Sequence, residues 1–171
     1  MTERSDLIDT LRKHRGLFLH TVQGLSDDQA REHPTVSALT LGGLVKHVTA
    51  VEVQWADFVV NGPGTPISAD IDWSNPPPEV QAFVDSHTMQ PTETLAGLLT
   101  RYEEAAAATD ALVESVDLDE EHPLPEAPWN PPGARWSNRR VVVHLVAETA
   151  QHAGHADILR ETLDGQKTMA G

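Results

Sequence analysis

The segment from Val141 to Gly165, VVVHLVAETAQHAGHADILRETLDG, places a glutamate and a histidine, Glu148 and His152, one helical turn apart. At about 100° per residue, both fall within a sector of roughly 60°. The other members of that sector are apolar: Val141, Leu145, Leu159 and Leu163. Because residues at i and i+4 are neighbours, both side chains can reach one point, and a cation there would offset the cost of burying the carboxylate. The pair predicts a metal site, with two alternatives: the side chains pair with each other, or they point to solvent.

Further histidines strengthen the metal interpretation. His144 and His155 extend the polar side of the same helix. Zinc, nickel, iron and manganese all accept imidazole nitrogen and carboxylate oxygen, but two ligands leave a site incomplete. The best candidate for a third ligand is His47, in the middle of another predicted helix beside apolar positions. The remaining histidines lie on the first helix or in or beside loops: His14, His20, His33, His87 and His122.

Composition limits the classes of partner. The chain has 171 residues, no cysteine and 12 Lys plus Arg against 26 Asp plus Glu, a formal net charge of -14. Such an acidic surface repels phosphate backbones and anionic lipid, so we expect no nucleic-acid or membrane partner. Without cysteine, and with no apolar run typical of a signal peptide or a membrane span, the sequence predicts a cytoplasmic protein. The length predicts one domain, residues 1–171.

Apolar spacing near 3.6 residues predicts four long helices. The first runs from a Ser5 cap to about Gly24, and Ser26 caps a short turn after it. The second is capped by Thr40 and ends at Gly62. The third follows a Thr92 cap, with an inward face that consists of Leu95, Leu99, Tyr102, Ala106, Leu112 and Val116. The fourth follows a Ser137 cap and carries the candidate ligands.

Two long loops interrupt this series. The first, Gly62 to Pro91, is rich in Gly and Pro and is expected to hold one short helix near Glu79 to Ser86. The second precedes Ser137 and is acidic, then proline-rich. Trp73 and Trp129 give the loops apolar material with which to cover one end of the molecule. The predicted fold is therefore all-α, a four-helix bundle with long crossover loops, an architecture whose core commonly holds metals.

Two segments resemble the DinB/YfiT-like superfamily of four-helix metalloproteins, which includes mycothiol-dependent maleylpyruvate isomerase and related thiol transferases. These are LGGLVKHVTAVEVQW, residues 41–55, and RWSNRRVVVHLVAETAQHAGHADILRETLDG, residues 135–165. The resemblance implies that the metal ligands are His47, Glu148 and His152. It also implies that His155 is either a hydrogen-bond partner of a ligand or a substitute ligand, and that the protein is a homodimer.

The functional hypothesis follows from this resemblance. It implies a divalent-metal-dependent transferase that activates a low-molecular-weight thiol, such as mycothiol, for attack on an electrophile. The metal would be zinc or nickel, or else iron or manganese, and an open position would deprotonate the thiol. One alternative is a stress-related metal-binding protein without turnover. Another is a metal-dependent hydrolase in which Glu52 or His155 acts as the base.

Overall fold

Helices dominate the computed structural model, which describes residues 2–64, 75, 77–85, 87–125 and 130–169. The helices are α1 (Glu3–His20), α2 (Asp27–Arg31), α3 (Leu41–Asn61), α4 (Pro78–Asp85), α5 (Leu95–Ser115) and α6 (Asn138–Asp164). The all-α prediction is confirmed, and α4 lies close to the short helix expected in the first loop. In the part of the chain described, no helix has the length and apolar character needed to span a membrane.

Short polar residues begin the long helices. Thr40 and Ser137 cap α3 and α6 as predicted, each accepting a hydrogen bond from the backbone N–H three residues later. The predicted caps of α1 and α5 are wrong by a few residues. Thr2 caps α1, and Ser5 is its partner in a capping box. Thr94 rather than Thr92 caps α5, accepting from the backbone N–H of residue 97.

The four long helices pack so that α6 lies between α1 and α3, while α5 packs mainly against α3. Their shared core includes a perpendicular contact between Phe18 and Tyr102, with ring centroids 5.9 Å apart. The buried face of α5 differs in part from the predicted one: it comprises Leu95, Leu98, Tyr102, Ala105, Thr109 and Val113. The run of alanines in α5 has little contrast between faces, which explains this error in helical register.

A two-stranded pairing not expected from the sequence precedes α6. Strands β1 (Glu121–Pro123) and β2 (Arg135–Ser137) are antiparallel, with His122 opposite Trp136. Strand β2 leads directly into α6, so Trp136 is tied to the first turn of that helix. The two tryptophans predicted to cover one end of the molecule, Trp73 and Trp129, lie outside the described residues.

Candidate metal centre

The three residues identified as candidate ligands come together between α3 and α6. His47, Glu148 and His152 each present one ligand atom, and these atoms all lie within 4.8 Å of one another. Each residue is partly buried. The contact requires two helices, because His47 is in the second turn of α3 while the other two lie one turn apart in α6.

The spacing of the two donor atoms on α6 matches that of two ligands on a divalent ion. Two ligands on one tetrahedral Zn²⁺ with bonds of about 2.1 Å lie about 3.4 Å from each other. Nε2 of His152 and Oε2 of Glu148 are 3.5 Å apart, close to that spacing. The His47 and His152 rings meet edge to face, with centroids 4.7 Å apart and planes at 80°. Two imidazole nitrogens and one carboxylate oxygen form a set that accepts several first-row ions and leaves a coordination position for another group.

Burial favours the neutral imidazoles that coordination requires. It lowers the pKa of His47 to about 4, with further lowering from His152 and His87. It also lowers the pKa of His152, although the Glu148 carboxylate opposes that shift. A neutral imidazole offers a lone pair without first releasing a proton. Near neutral pH, both histidines are therefore ready to bind a cation.

Three more histidines each lie against one of the three candidate ligands. Nδ1 of His155 is 3.4 Å from Nδ1 of His152. Nε2 of His144 is 3.6 Å from Oε1 of Glu148. The ring of His87 stacks on that of His47, with centroids 4.4 Å apart and planes at 29°.

These contacts bear on the two roles predicted for His155. Its position beside the ring nitrogen of His152 suits a hydrogen-bond partner that fixes the orientation and tautomer of a ligand. It does not belong to the group of three converging ligand atoms. The residue missed from the sequence is His87, because nothing about a histidine in a loop indicates which helix it will contact.

Close backbone contacts hold the loop that carries His87. The His87 carbonyl oxygen lies so near Gly43 that an added Cβ would be 2.4 Å from it. In the next residue along the loop, the Thr88 carbonyl oxygen accepts a hydrogen bond of 2.9 Å from Nζ of Lys46. Met89 is buried against Gly42. The glycines near the start of α3 thus allow this loop to approach the helix.

An aromatic cluster lies against His144, the histidine beside Oε1 of Glu148. Trp55 and Trp136 stack with centroids 4.9 Å apart and planes at 12°. The His144 ring meets both tryptophans nearly edge-on, at 4.9 Å and 5.1 Å. The exposed guanidinium of Arg140 lies 4.6 Å from the centre of the Trp136 ring.

The base proposed for hydrolysis, Glu52, is paired with an arginine of α1. Its side chain is fully buried and accepts two hydrogen bonds from Arg15, Nε to Oε1 at 2.8 Å and Nη2 to Oε2 at 2.7 Å. A carboxylate and a guanidinium joined by two hydrogen bonds form a strong ion pair, which here links α1 and α3. The prediction of Glu52 as a base is therefore wrong.

The arginines near α6 have structural partners as well. Arg139 pairs with Glu3 and Asp119. Arg160 is buried and donates to the carbonyl oxygens of Thr21 and Gln23, just beyond α1. These two side chains therefore connect α6 to other segments of the chain.

Comparison with known proteins places the chain in a family. A family model described as mycothiol S-transferase matches residues 6–165. The chain belongs to the mycothiol S-transferase family, in agreement with the resemblance to the DinB/YfiT-like superfamily. Among solved structures, it is similar to a conserved protein from Enterococcus faecalis, with 15% identity, a TM-score of 0.66 and coverage of 97% of this chain and 99% of that one. At that identity the likeness supports the fold alone. A search of curated proteins found no significant match.

Proposed function

We propose that this protein is a metal-dependent S-transferase that uses a low-molecular-weight thiol of the mycothiol type. The observation that carries the proposal is the convergence of His47, Glu148 and His152 in a member of the mycothiol S-transferase family. These residues would hold one divalent ion, for which zinc and nickel are the first candidates and iron and manganese the next. When bound, the ion would lower the pKa of a coordinated thiol and so supply a thiolate near neutral pH.

The protein's own residues would orient this chemistry. The thiolate sulfur would form a bond to an electrophilic carbon. In a substitution, the leaving group would depart with its electron pair. In an addition to a double bond, the displaced electron pair would take a proton from water. Because the chain contains no cysteine, the sulfur must come from the cosubstrate. The Trp55 and Trp136 rings would wall the site on the Glu148 side, and His155 would hold the His152 ring in place.

The first experiment measures metal in untagged protein. We expect about one divalent ion per chain, and its loss from a His47→Ala, His152→Ala double variant. A matched control is His33→Ala, because His33 is exposed in a loop and lies outside the group of converging ligands. Retention of the ion by the double variant would refute the site.

Turnover separates the proposed activity from its alternatives. Loaded protein should couple mycothiol to a generic alkyl halide, as measured by loss of free thiol, and the double variant should not. Metal binding without turnover would instead support a non-catalytic metal-binding protein. Hydrolysis of ester probes without any thiol would support a hydrolase, with His155 as the remaining candidate base.

Location and assembly are part of the same proposal. The absence of cysteine fits a reducing cytoplasm, where a thiol cosubstrate would also remain reduced. Homodimerisation is expected from the resemblance to the superfamily. Light scattering during size-exclusion chromatography gives the mass directly, and a monomer of 18.6 kDa would contradict the dimer.

A further inference from the structure

The two carboxylate oxygens of Glu148 face different histidines. Oε2 lies 3.5 Å from Nε2 of His152, on the side of the converging ligands. Oε1 lies 3.6 Å from Nε2 of His144, one helical turn in the opposite direction along α6. This second contact is longer than a hydrogen bond, and a shift of a few tenths of an ångström in either side chain would bring it within hydrogen-bond range.

The ring of His144 packs against two tryptophan rings. Trp55 on α3 and Trp136 on β2 both meet it nearly edge-on, with interplanar angles of 75° and 68°. The two indoles are themselves stacked, so the three rings form one packed unit. Rotation of the His144 ring away from Glu148 would disrupt these contacts. Its Nε2 is therefore presented to the carboxylate by packing that spans α3, β2 and α6.

We infer that His144 is a positioning residue that makes Glu148 bind the metal through one oxygen only. This inference rests on the proposed function, because it concerns the same centre. A carboxylate can coordinate through one oxygen or both. If Nε2–H of His144 donates to Oε1, that oxygen is turned away from the ion and Oε2 alone is the ligand. The coordination position that Oε1 would otherwise occupy stays available to the thiol.

Two substitutions separate hydrogen bonding from packing. His144→Phe keeps a ring packed against Trp55 and Trp136 but removes the donor. His144→Gln supplies an amide N–H that can reach Glu148. Each variant and the wild type are loaded with Co²⁺, whose visible absorption weakens as its coordination number rises, and titrated with 2-mercaptoethanol. Circular dichroism confirms that each is folded.

We expect the phenylalanine variant to absorb more weakly and to need at least about tenfold more thiol for half-saturation. Tenfold is the lower end of the loss in metal affinity or activity that removal of a ligand's hydrogen-bond partner causes. The glutamine variant should restore most of both properties. Overlap of the phenylalanine variant with the wild type would overturn the inference, and so would a glutamine variant that behaves like phenylalanine. If the wild type binds no Co²⁺, the proposed function fails rather than the role of His144.

A second measurement needs no substitution. In the Zn²⁺-loaded wild type, two-bond ¹H–¹⁵N correlation spectra report which ring nitrogen of each histidine carries the proton. We expect the proton of His144 on Nε2. A proton on Nδ1 alone would leave no donor for Glu148 and would overturn the inference even if the phenylalanine variant fails to fold.

Discussion

The buried ion pair between α1 and α3 gives the sharpest stability prediction. The side chains of Arg15 and Glu52 are only 6% and 0% exposed, and two hydrogen bonds of 2.8 and 2.7 Å join them. A third bond, 2.7 Å from Nη1 of Arg15, reaches Asp110 on α5. Arg15→Met would leave the Glu52 carboxylate in the interior without its partner.

The size of this effect follows from the burial. Breaking a buried pair by removing one partner costs about 3–5 kcal/mol, a large part of the stability of an ordinary domain. For a chain of this length we expect the melting temperature to fall by about 6–20 °C. Removing both charges, in Arg15→Met with Glu52→Leu, should recover most of the loss because no unpaired charge remains at that position. In the double variant, Asp110 would still form its ion pair with Arg12, 2.7 Å away.

Urea unfolding followed by circular dichroism measures these free energies. Arg12→Met is the matched control, because Arg12 also pairs with Asp110 but its side chain is 56% exposed. Exposed pairs contribute less than about 1 kcal/mol. If Arg15→Met cost no more than Arg12→Met, or if the double variant were no more stable than Arg15→Met, the description of Arg15 and Glu52 as a coupled buried pair would be refuted.

The other predictions concern pH, packing and metal. The pKa of His47 is about 4 in the folded chain and 6.5 in the unfolded chain. Between pH 4 and pH 6.5, the unfolded chain therefore binds a proton at His47 that the folded chain does not. The free energy of unfolding of the metal-free protein should therefore fall as the pH drops from 6.5 to 4, and it should fall less steeply in His47→Gln. If the urea midpoints of the wild type and the variant changed in parallel across that range, this prediction would be contradicted. Gly43→Ala should cost about 1–3 kcal/mol, because the added Cβ would meet the carbonyl oxygen of His87 at 2.4 Å. Its control is Gly154→Ala, where an added Cβ meets nothing within 4 Å, and this change should stabilise the protein by about 0.5–1 kcal/mol. Equal unfolding midpoints for the two variants would count against the close approach of Gly43 and His87. At a free Zn²⁺ concentration 100 times the Kd, unfolding should require about 2.7 kcal/mol more than with chelator, and an unchanged melting curve would argue against specific binding.

Local periodicity predicted most of the helices and the relation between Glu148 and His152. Both candidate ligands lie on one helix, so their separation follows from helical geometry alone. The caps at Thr40 and Ser137 were equally local and were predicted correctly. His47 required a further step, because its approach to α6 depends on the packing of two helices.

The features missed from the sequence depend on contacts between distant segments. His87 reaches His47 through a loop whose path is set by backbone contact with Gly43. The burial of Glu52 depends on Arg15, 37 residues earlier, and no pattern within α3 indicates this partner. The two short strands have too few residues for an alternating pattern to be recognised.

The single carboxylate among the candidate ligands has a consequence for the charge of a loaded centre. With His47 and His152 neutral, Glu148 brings one negative charge, so a bound divalent ion leaves a net charge of plus one. One thiolate would cancel that charge. A third histidine in place of Glu148 would leave plus two, which would hold a thiolate more strongly and make its sulfur less reactive toward carbon. In the proposed transferase, the glutamate would thus favour release of the sulfur to an electrophile over tight retention of the thiol.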